Sequence, residues 1–363
     1  MKNCSARWLL LPTVLVLALV AAEFGYRAAL FSPGDRLRSL REPGLYADPF
    51  SEDLFWKLAV AWSGEYRPPK RPHPTLGWAE DVSLDTLRHR EARNLDGRRP
   101  VLLYGDSFAA CFGEVACFED ILNSDSEFAS GHYLLNYGVG GYGLDQTYLL
   151  FQDSIDYFER PFVIFSLFTY DIDRCLLSFR IGQKPRFSLA GGSLELEATP
   201  ILASADDYLD AHPPLVVSYL YRRALFGGLL PTRVSAVLRR DENSRRRKIA
   251  ISEAILSTTL AELESRSLDF TFLVFHGDRP SDNPLFGGTD WREVFLRGWL
   301  EKNLVPHIWS KEIVARALGP GEEPDVGRYL DPETLHPTEY FNRLVAGEIR
   351  RTVLIGRQAL QAR

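Results

Sequence analysis

The chain has 363 residues, 45% hydrophobic and 25% charged, which is enough for one α/β domain with insertions around a substantial core. Its formal net charge of -6 and pI near 5.7 exclude the basic surface that non-specific nucleic-acid binding needs. No repeat period and no low-complexity tract is present.

In chain order, residues 1–31 come first. Lys2 and Arg7 precede an uncharged apolar run from Trp8 to Ala22, and Glu23 follows. Basic residues ahead of an apolar stretch are an export signal, and their position predicts that the body lies outside the cytoplasm. The run is short of the roughly 20 residues of a spanning helix. Two readings stand. The segment is a cleaved signal, with Val20 and Ala22 as the small residues before the cut, or an uncleaved anchor extended by Phe24 and Tyr26. Residues 32–99, rich in Pro, Arg and Asp, read as a lead-in arm. "FWKLAVAW" is a short helix there, and "RPPKRPHPTLGW" is extended, because each proline biases its predecessor away from the helix.

From residue 100 the pattern changes. "PVLLYG" predicts a strand and "SFAACFGEVACFEDIL" a helix. "HYLLNYG" is a second strand, "LDQTYLLFQDSIDYF" a helix, and "FVIFSLF" a third strand. After an interruption, "KIAISEAILSTTLAELESRS" is a helix and "FTFLVFHG" a fourth strand. "DWREVFLRGWLEKN" is a helix, "VPHIW" a fifth strand, and "PTEYFNRLVAGEIRRTVL" the last helix. Strands alternating with helices predict an α/β fold: a five-stranded parallel sheet sandwiched between helices, over residues 100–352. The interruption, 174–247, holds a hairpin pattern in "KPRFSLAGGSLELEATP" and a helix in "PPLVVSYLYRRALFGGLL". It reads as a lid or substrate-side insertion. The basic run from Arg239 to Lys248 reads as a solvated face. Among the cysteines, Cys111, Cys117 and Cys175 allow one disulfide and one thiol. A Cys111–Cys117 bridge and free buried cysteines both remain open. No Cys/His spacing matches a zinc site, and Asp171 with Asp173 reads as loop caps rather than metal ligands.

Open parallel sheets bind ligands at the carboxyl ends of their strands. Ser107 lies just past the first strand, in "VLLYGDSFAACFGE", where its hydroxyl is exposed and its N–H begins a helix. A hydroxyl needs a base, and the base needs an orienting group. His336, in "YLDPETLHPTEYF", sits in the loop before the last helix, so it belongs to the same sheet edge. Glu333 and Asp331 are both candidates to hold its imidazole. His276, which also ends a strand, reads as structural or substrate-side. The glycines of "GVGGYG" (Gly138, Gly140 and Gly143) have dinucleotide-fingerprint spacing. They do not follow the first strand, and no acid ends the next strand, so they fit a loop approached closely by substrate better.

"GDSF" early, "NYGVGGYG" in the middle and "ETLHP" late resemble the SGNH (GDSL-type) hydrolases, over roughly residues 95–352. The resemblance implies a five-stranded parallel sheet, Ser107 as nucleophile, His336 as base, and the Ser107 and Gly141 N–H groups in an oxyanion hole. The lead-in "LGW" and the apolar segment resemble exported bacterial members. "TYDIDRCLLSFR" followed by "KPRF" resembles a subset found with exopolysaccharide genes. Two positions depart from the family pattern. The oxyanion Asn of the third block is here Tyr170, and the Asp three residues before the His is here Glu333. Thr169 or Tyr170 is then the donor, or Asn136 comes near; Asp106, Asn136, Asp171 and His276 are substrate-side candidates. The expectation is an extracytoplasmic, membrane-tethered serine esterase or acyl transferase acting on an O-acyl, acetyl above all, group of a carbohydrate. It uses no metal or organic cofactor and no nucleic acid. A glycan-binding or polysaccharide-assembly protein without catalysis and a lipid ester or thioester hydrolase are the alternatives.

Overall fold

The computed structural model describes residues 4–32, 35–63, 71–79, 95–180, 182–202, 204–277, 285–286, 288–319, 322 and 325–361. Part of the expected lead-in arm, 64–70 and 80–94, lies outside them. In chain order the helices and strands used below are α1 (Cys4–Leu30), α2 (Asp53–Ser63), β1 (Arg71–His73), β2 (Gly77–Ala79), β3 (Arg99–Gly105), α3 (Ser107–Ala110), α4 (Phe118–Asn123), β4 (His132–Gly138), α5 (Leu144–Ser154), β5 (Phe162–Phe168), α6 (Asp171–Arg174), β6 (Arg186–Ala190), β7 (Ser193–Glu197), α7 (Ala205–Ala211), α8 (Tyr219–Phe226), α9 (Thr232–Arg239), α10 (Asp241–Ser265), β8 (Asp269–Phe275), α11 (Trp291–Lys302), β9 (His307–Trp309), α12 (Ser310–Ala317) and α13 (Glu339–Gln361).

The chain divides into two compact units. The first comprises 1–68, 177–183 and 202–246; the second comprises 69–176, 184–201 and 247–363. The second unit holds a five-stranded sheet in the order β4-β3-β5-β8-β9, every neighbouring pair parallel, flanked by helices. This is the α/β fold expected from the alternation. β5 is buried along its whole length, and β3 from Pro100 onward. Their unbroken apolar runs therefore fit a sheet covered on both faces. The chain leaves β3 toward β4 on one side and returns to β5 on the other. Between β3 and β5 the sheet thus has its switch point, the place where open parallel sheets take their ligands. β6 and β7 form an antiparallel hairpin, with Arg186 opposite Glu197.

The single helix expected over 107–122 is instead two. α3 stops at Ala110 because Cys111 takes a left-handed φ of 56°, which no residue inside a helix adopts. Cys111 bridges to Cys117, which stands immediately before α4. Cys175 is a free, buried thiol, and burial pushes its pKa far above the ordinary thiol range.

The first unit has its own core. Leu30 of α1, Tyr46, Leu58 of α2 and Tyr219 of α8 pack together, with Tyr26 and Trp62 against them. A second cluster joins Phe179 to Ala205 and Tyr208 of α7. Asp53 ties the segments by accepting the Ser178 and Phe179 backbone N–H groups at 2.8 and 3.1 Å.

Candidate active site

The turn after β3 is built by Asp106. Its carboxylate accepts the Phe108 N–H at 2.9 Å, which caps α3 and places Ser107 as the first helical residue. The N–H of a first helical residue has no partner within its own helix and is available to a ligand. The backbone of α3 runs against the end of β4: a Cβ on Gly138 would stand 2.3 Å from the Ala110 nitrogen, so only glycine fits there. Asn136 reinforces the contact. Its amide donates to the Ala109 carbonyl at 2.8 Å, and its side-chain oxygen accepts the Gly138 N–H at 2.9 Å. Asn136 therefore holds the serine's helix to the neighbouring strand.

His336 meets Ser107 at the same edge, with Nε2 2.9 Å from Oγ. Its Nδ1 lies 2.8 Å from the Thr334 backbone carbonyl. A carbonyl only accepts, so Nδ1 carries the proton and Nε2 is left bare to take the hydroxyl proton of Ser107. Burial is the main cause that holds the imidazole pKa below its usual value, and the nearby Arg174 cation acts in the same sense. The hydrogen bond to the Thr334 carbonyl opposes them first, then Asp106 and Asp331. The ring is thus a neutral base at pH 7. Phe112, in the loop closed by the Cys111–Cys117 bridge, stacks on it with ring centres 4.7 Å apart.

Neither expected acid bonds to the ring. Asp331 turns its carboxylate into its own loop, where Oδ1 accepts the Glu333 N–H (3.1 Å), the Thr334 N–H (2.8 Å) and the Thr334 hydroxyl (3.0 Å). Those bonds fix the peptide that presents the Thr334 carbonyl. Glu333 is exposed, and the position usually given to an orienting carboxylate is occupied by the backbone.

Gly141 lies in a turn with φ 86°, which favours glycine. Two groups fix that turn. The Trp78 indole of β2 donates to the Gly140 carbonyl at 3.2 Å, and the Tyr142 hydroxyl donates to the Trp78 carbonyl at 2.5 Å. In a trans peptide C=O and N–H point in opposite directions, so holding the Gly140 carbonyl aims the Gly141 N–H the other way. From the far side, Arg174 Nη1 donates to the Tyr142 carbonyl, to Asp106 at 3.1 Å and to Asp171 at 2.6 Å. One buried guanidinium thus joins the cap of the serine's helix to the glycine turn.

Three residues expected to face substrate are interior instead. Asp106 and Asp171 are buried because each is a carboxylate partner of Arg174, and Asp171 also accepts the Phe168 N–H at 2.8 Å. His276 is buried with Nδ1 3.1 Å from the Ser310 hydroxyl. Burial first, then the Lys311 and Arg297 charges, lower its pKa to about 3. Tyr170 is buried at the start of α6, its ring against Phe168 and 4.4 Å from the Arg292 guanidinium carbon. Thr169 is also buried, its N–H on the Phe275 carbonyl.

Nothing in the sequence pattern gives Trp78, Phe112, Arg174 or the Thr334 carbonyl these roles. The interior also holds a set of charges. Asp145 pairs with Lys184, and Asp173 with both Lys248 and Arg292 at 2.5 Å. Lys248 ends the basic run expected to be a solvated face, yet it is buried, because it lies where α10 meets Asp173. The signal for these residues was composition: four aspartates and an arginine close to strand ends in otherwise apolar surroundings. Among the described residues no cluster of His, Cys, Asp and Glu has a metal-binding arrangement.

No family model matches the sequence, and no curated protein does. Among solved structures, the chain is similar to a lipase/acylhydrolase from Enterococcus faecalis at 13% identity and TM-score 0.38, covering 70% of this chain and 95% of that one. It is similar to the acetyl xylan esterase AlAXEase at 12% identity and TM-score 0.38, covering 70% and 99%. A third is the acetylxylan esterase Axe2 from Geobacillus stearothermophilus, at 11% identity and TM-score 0.36, covering 72% and 96%. Strand order and the Ser107–His336 geometry, not these distant likenesses, define what the site can do.

Proposed function

We propose that this chain is a serine ester hydrolase or O-acyl transferase of the SGNH type, working outside the cytoplasm and tethered by its N-terminal helix. The observation that carries the reading is the Ser107–His336 contact of 2.9 Å at the switch-point edge of the sheet, with the imidazole tautomer set by a carbonyl. Ser107 Oγ attacks the ester carbonyl while His336 Nε2 takes the hydroxyl proton. Charge gathers on the carbonyl oxygen, facing the Ser107 and Gly141 N–H groups. The intermediate collapses, the C–O bond to the leaving alcohol breaks, and His336 returns the proton to that alcohol. Water, or a sugar hydroxyl in transfer, then attacks the acyl-serine by the same steps in reverse. Thr334 replaces the usual carboxylate as orienter. A carbonyl enforces the tautomer but stabilises the imidazolium less than a full negative charge does.

The resemblance in "GDSF", "NYGVGGYG" and "ETLHP" supports a small acyl group, acetyl first, on a carbohydrate or exopolysaccharide as substrate. The Cys111–Cys117 bridge and the Lys2/Arg7 flank of the apolar helix support an oxidising compartment outside the cytoplasm.

The test is labelling of the detergent-solubilised full chain with a fluorophosphonate probe, and turnover of p-nitrophenyl acetate, beside Ser107→Ala. Both signals vanish in the variant if the reading holds. A folded wild-type protein that neither labels nor turns over would support a glycan-binding protein that has lost the chemistry, with Tyr170 at the position of the missing donor as the reason.

A further inference from the structure

We propose that residues 213–240 form a lipid-facing foot: a surface that rests in the headgroup region of the bilayer that α1 enters and prefers anionic headgroups. It rests on the reading of α1 as a retained membrane anchor. Pro12–Leu30 is apolar enough to cross a membrane, and its first part, residues 12–22, is exposed at every position. The uncharged run stops at Glu23, and that is where the rest of the unit takes hold. The Glu23 carboxylate accepts the Ser218 hydroxyl at 2.9 Å and the Tyr219 and Leu220 N–H groups at 2.9 and 3.0 Å, capping α8. Arg27, paired with Glu23 at 2.7 Å, donates to the Val216 and Val217 carbonyls at 3.1 and 2.8 Å. The segment 216–220 is therefore fixed beside α1 at the level of its first acidic residue, where the uncharged run ends.

At that level the surface is apolar. Val217 is 95% exposed and Leu215 79%, which is costly for two neighbouring side chains that meet only water. The apolar surface continues through Leu229 into α9. A helix on a water-soluble body turns its apolar stripe inward. In α9 the only buried residue is Ser235, while Val234, Val237 and Leu238, spaced to share one face, are exposed, Val237 to 76%. Charge points to the same occupant. In a chain of net charge -6, residues 211–240 contain five arginines and no Asp or Glu. Arg222 is taken up by Glu52 and Arg239 by Asp241, whereas Arg233 and Arg240 make no ion pair among the described residues. An outward apolar stripe beside free arginines is the pattern of a helix lying in an anionic lipid interface.

The experiment uses the full chain, with Cys4→Ser, in nanodiscs of phosphatidylcholine with and without phosphatidylglycerol. Single nitroxide labels are placed at Val16→Cys, Val217→Cys, Val237→Cys and, as a water-exposed control on α11, Val294→Cys. Collision with oxygen and with a soluble nickel chelate reads depth. The expected result is an oxygen-to-nickel ratio at Val217 and Val237 roughly threefold or more above Val294, below that of Val16, and higher at Val237 with the anionic lipid. Ratios at Val217 and Val237 equal to Val294, with Val16 in lipid, would overturn the foot and leave the anchor standing. A water-exposed Val16 would overturn the anchor and the foot with it. Shielding of Val217 and Val237 from both quenchers, in detergent as in nanodiscs, would overturn the lipid assignment in favour of a second copy or another protein.

Discussion

Trp78→Phe tests whether the indole of β2 aims the Gly141 N–H. Phenylalanine keeps an aromatic ring against Tyr142, now packed at 5.7 Å between ring centres, but removes the donor that holds the Gly140 carbonyl at 3.2 Å. The lost hydrogen bond costs about 1 kcal/mol and the smaller ring about 1–2 kcal/mol more, well short of unfolding a chain of this size. The effect on rate follows from geometry. Losing an oxyanion donor outright costs about 10²–10³ in kcat, and freeing the peptide without removing its N–H should cost about tenfold. The donor strengthens only as charge develops, so KM should stay near its wild-type value while kcat falls. Steady-state turnover of p-nitrophenyl acetate, corrected for folded fraction by near-UV circular dichroism, reads this directly. Gly141→Ala disturbs the same peptide by forcing a side chain into a left-handed φ. If both changes act through one group, the double variant should be no slower than Gly141→Ala alone. A kcat unchanged in Trp78→Phe, or losses that simply multiply, would refute the reasoning.

Three further outcomes follow from the same geometry. His336 must be neutral to act, and its pKa is depressed, chiefly by burial. The acid limb of kcat/KM should therefore have its midpoint below the free-imidazole value of about 6.5. Arg174→Met removes a cation that lowers that pKa and leaves Asp106 uncompensated, so the limb should move to higher pH; Arg174→Lys should leave it in place, and a limb indifferent to both would exclude the coupling. Glu333→Gln should alter kcat less than about twofold, whereas Asp331→Ala, which removes three hydrogen bonds from the loop presenting the Thr334 carbonyl, should cost about tenfold or more. The reverse order would make Glu333 the orienter after all. Reducing the Cys111–Cys117 bridge, which spans six positions, should cost about 2 kcal/mol and lower Tm by roughly 3 °C in calorimetry. It should also slow fluorophosphonate labelling, as Phe112 loses its hold on the His336 ring; an unchanged labelling rate would count against that contact.

The sheet was legible because its strands are unbroken apolar runs and its helices carry turn residues at their ends. Ser107 and His336 were legible as a pair because a parallel sheet brings every strand-to-helix turn to one edge. What escaped the sequence has a common cause: the partner is remote or is not a side chain. Arg174 and Asp106 are 68 positions apart, and Trp78 and Gly140 are 62 apart. The group bonded to His336 Nδ1 is a carbonyl, which every residue possesses, so no side-chain identity marks it in the sequence. The break at Cys111 was hidden because the apolar pattern continues through it. Lys248 shows the limit of reading charge runs: three neighbouring arginines look alike in sequence, and only the turn of α10 sends the fourth cation inward.

Eight of the interior charges also bear on how this site can be altered. Four aspartates (106, 145, 171 and 173) face four cations (Arg174, Lys184, Lys248 and Arg292), and Arg292 also pairs with Asp290. Exchanging any one of them strands a partner in a dry interior, at a cost of about 3–5 kcal/mol, while replacing a matched pair by apolar residues is far cheaper. Descendants of this sequence should therefore change these positions two at a time. Anyone transplanting the Ser107–His336 pair onto another sheet would have to carry Asp106, Arg174 and Asp171 for the serine's turn, and Asp331 with Thr334 for the histidine.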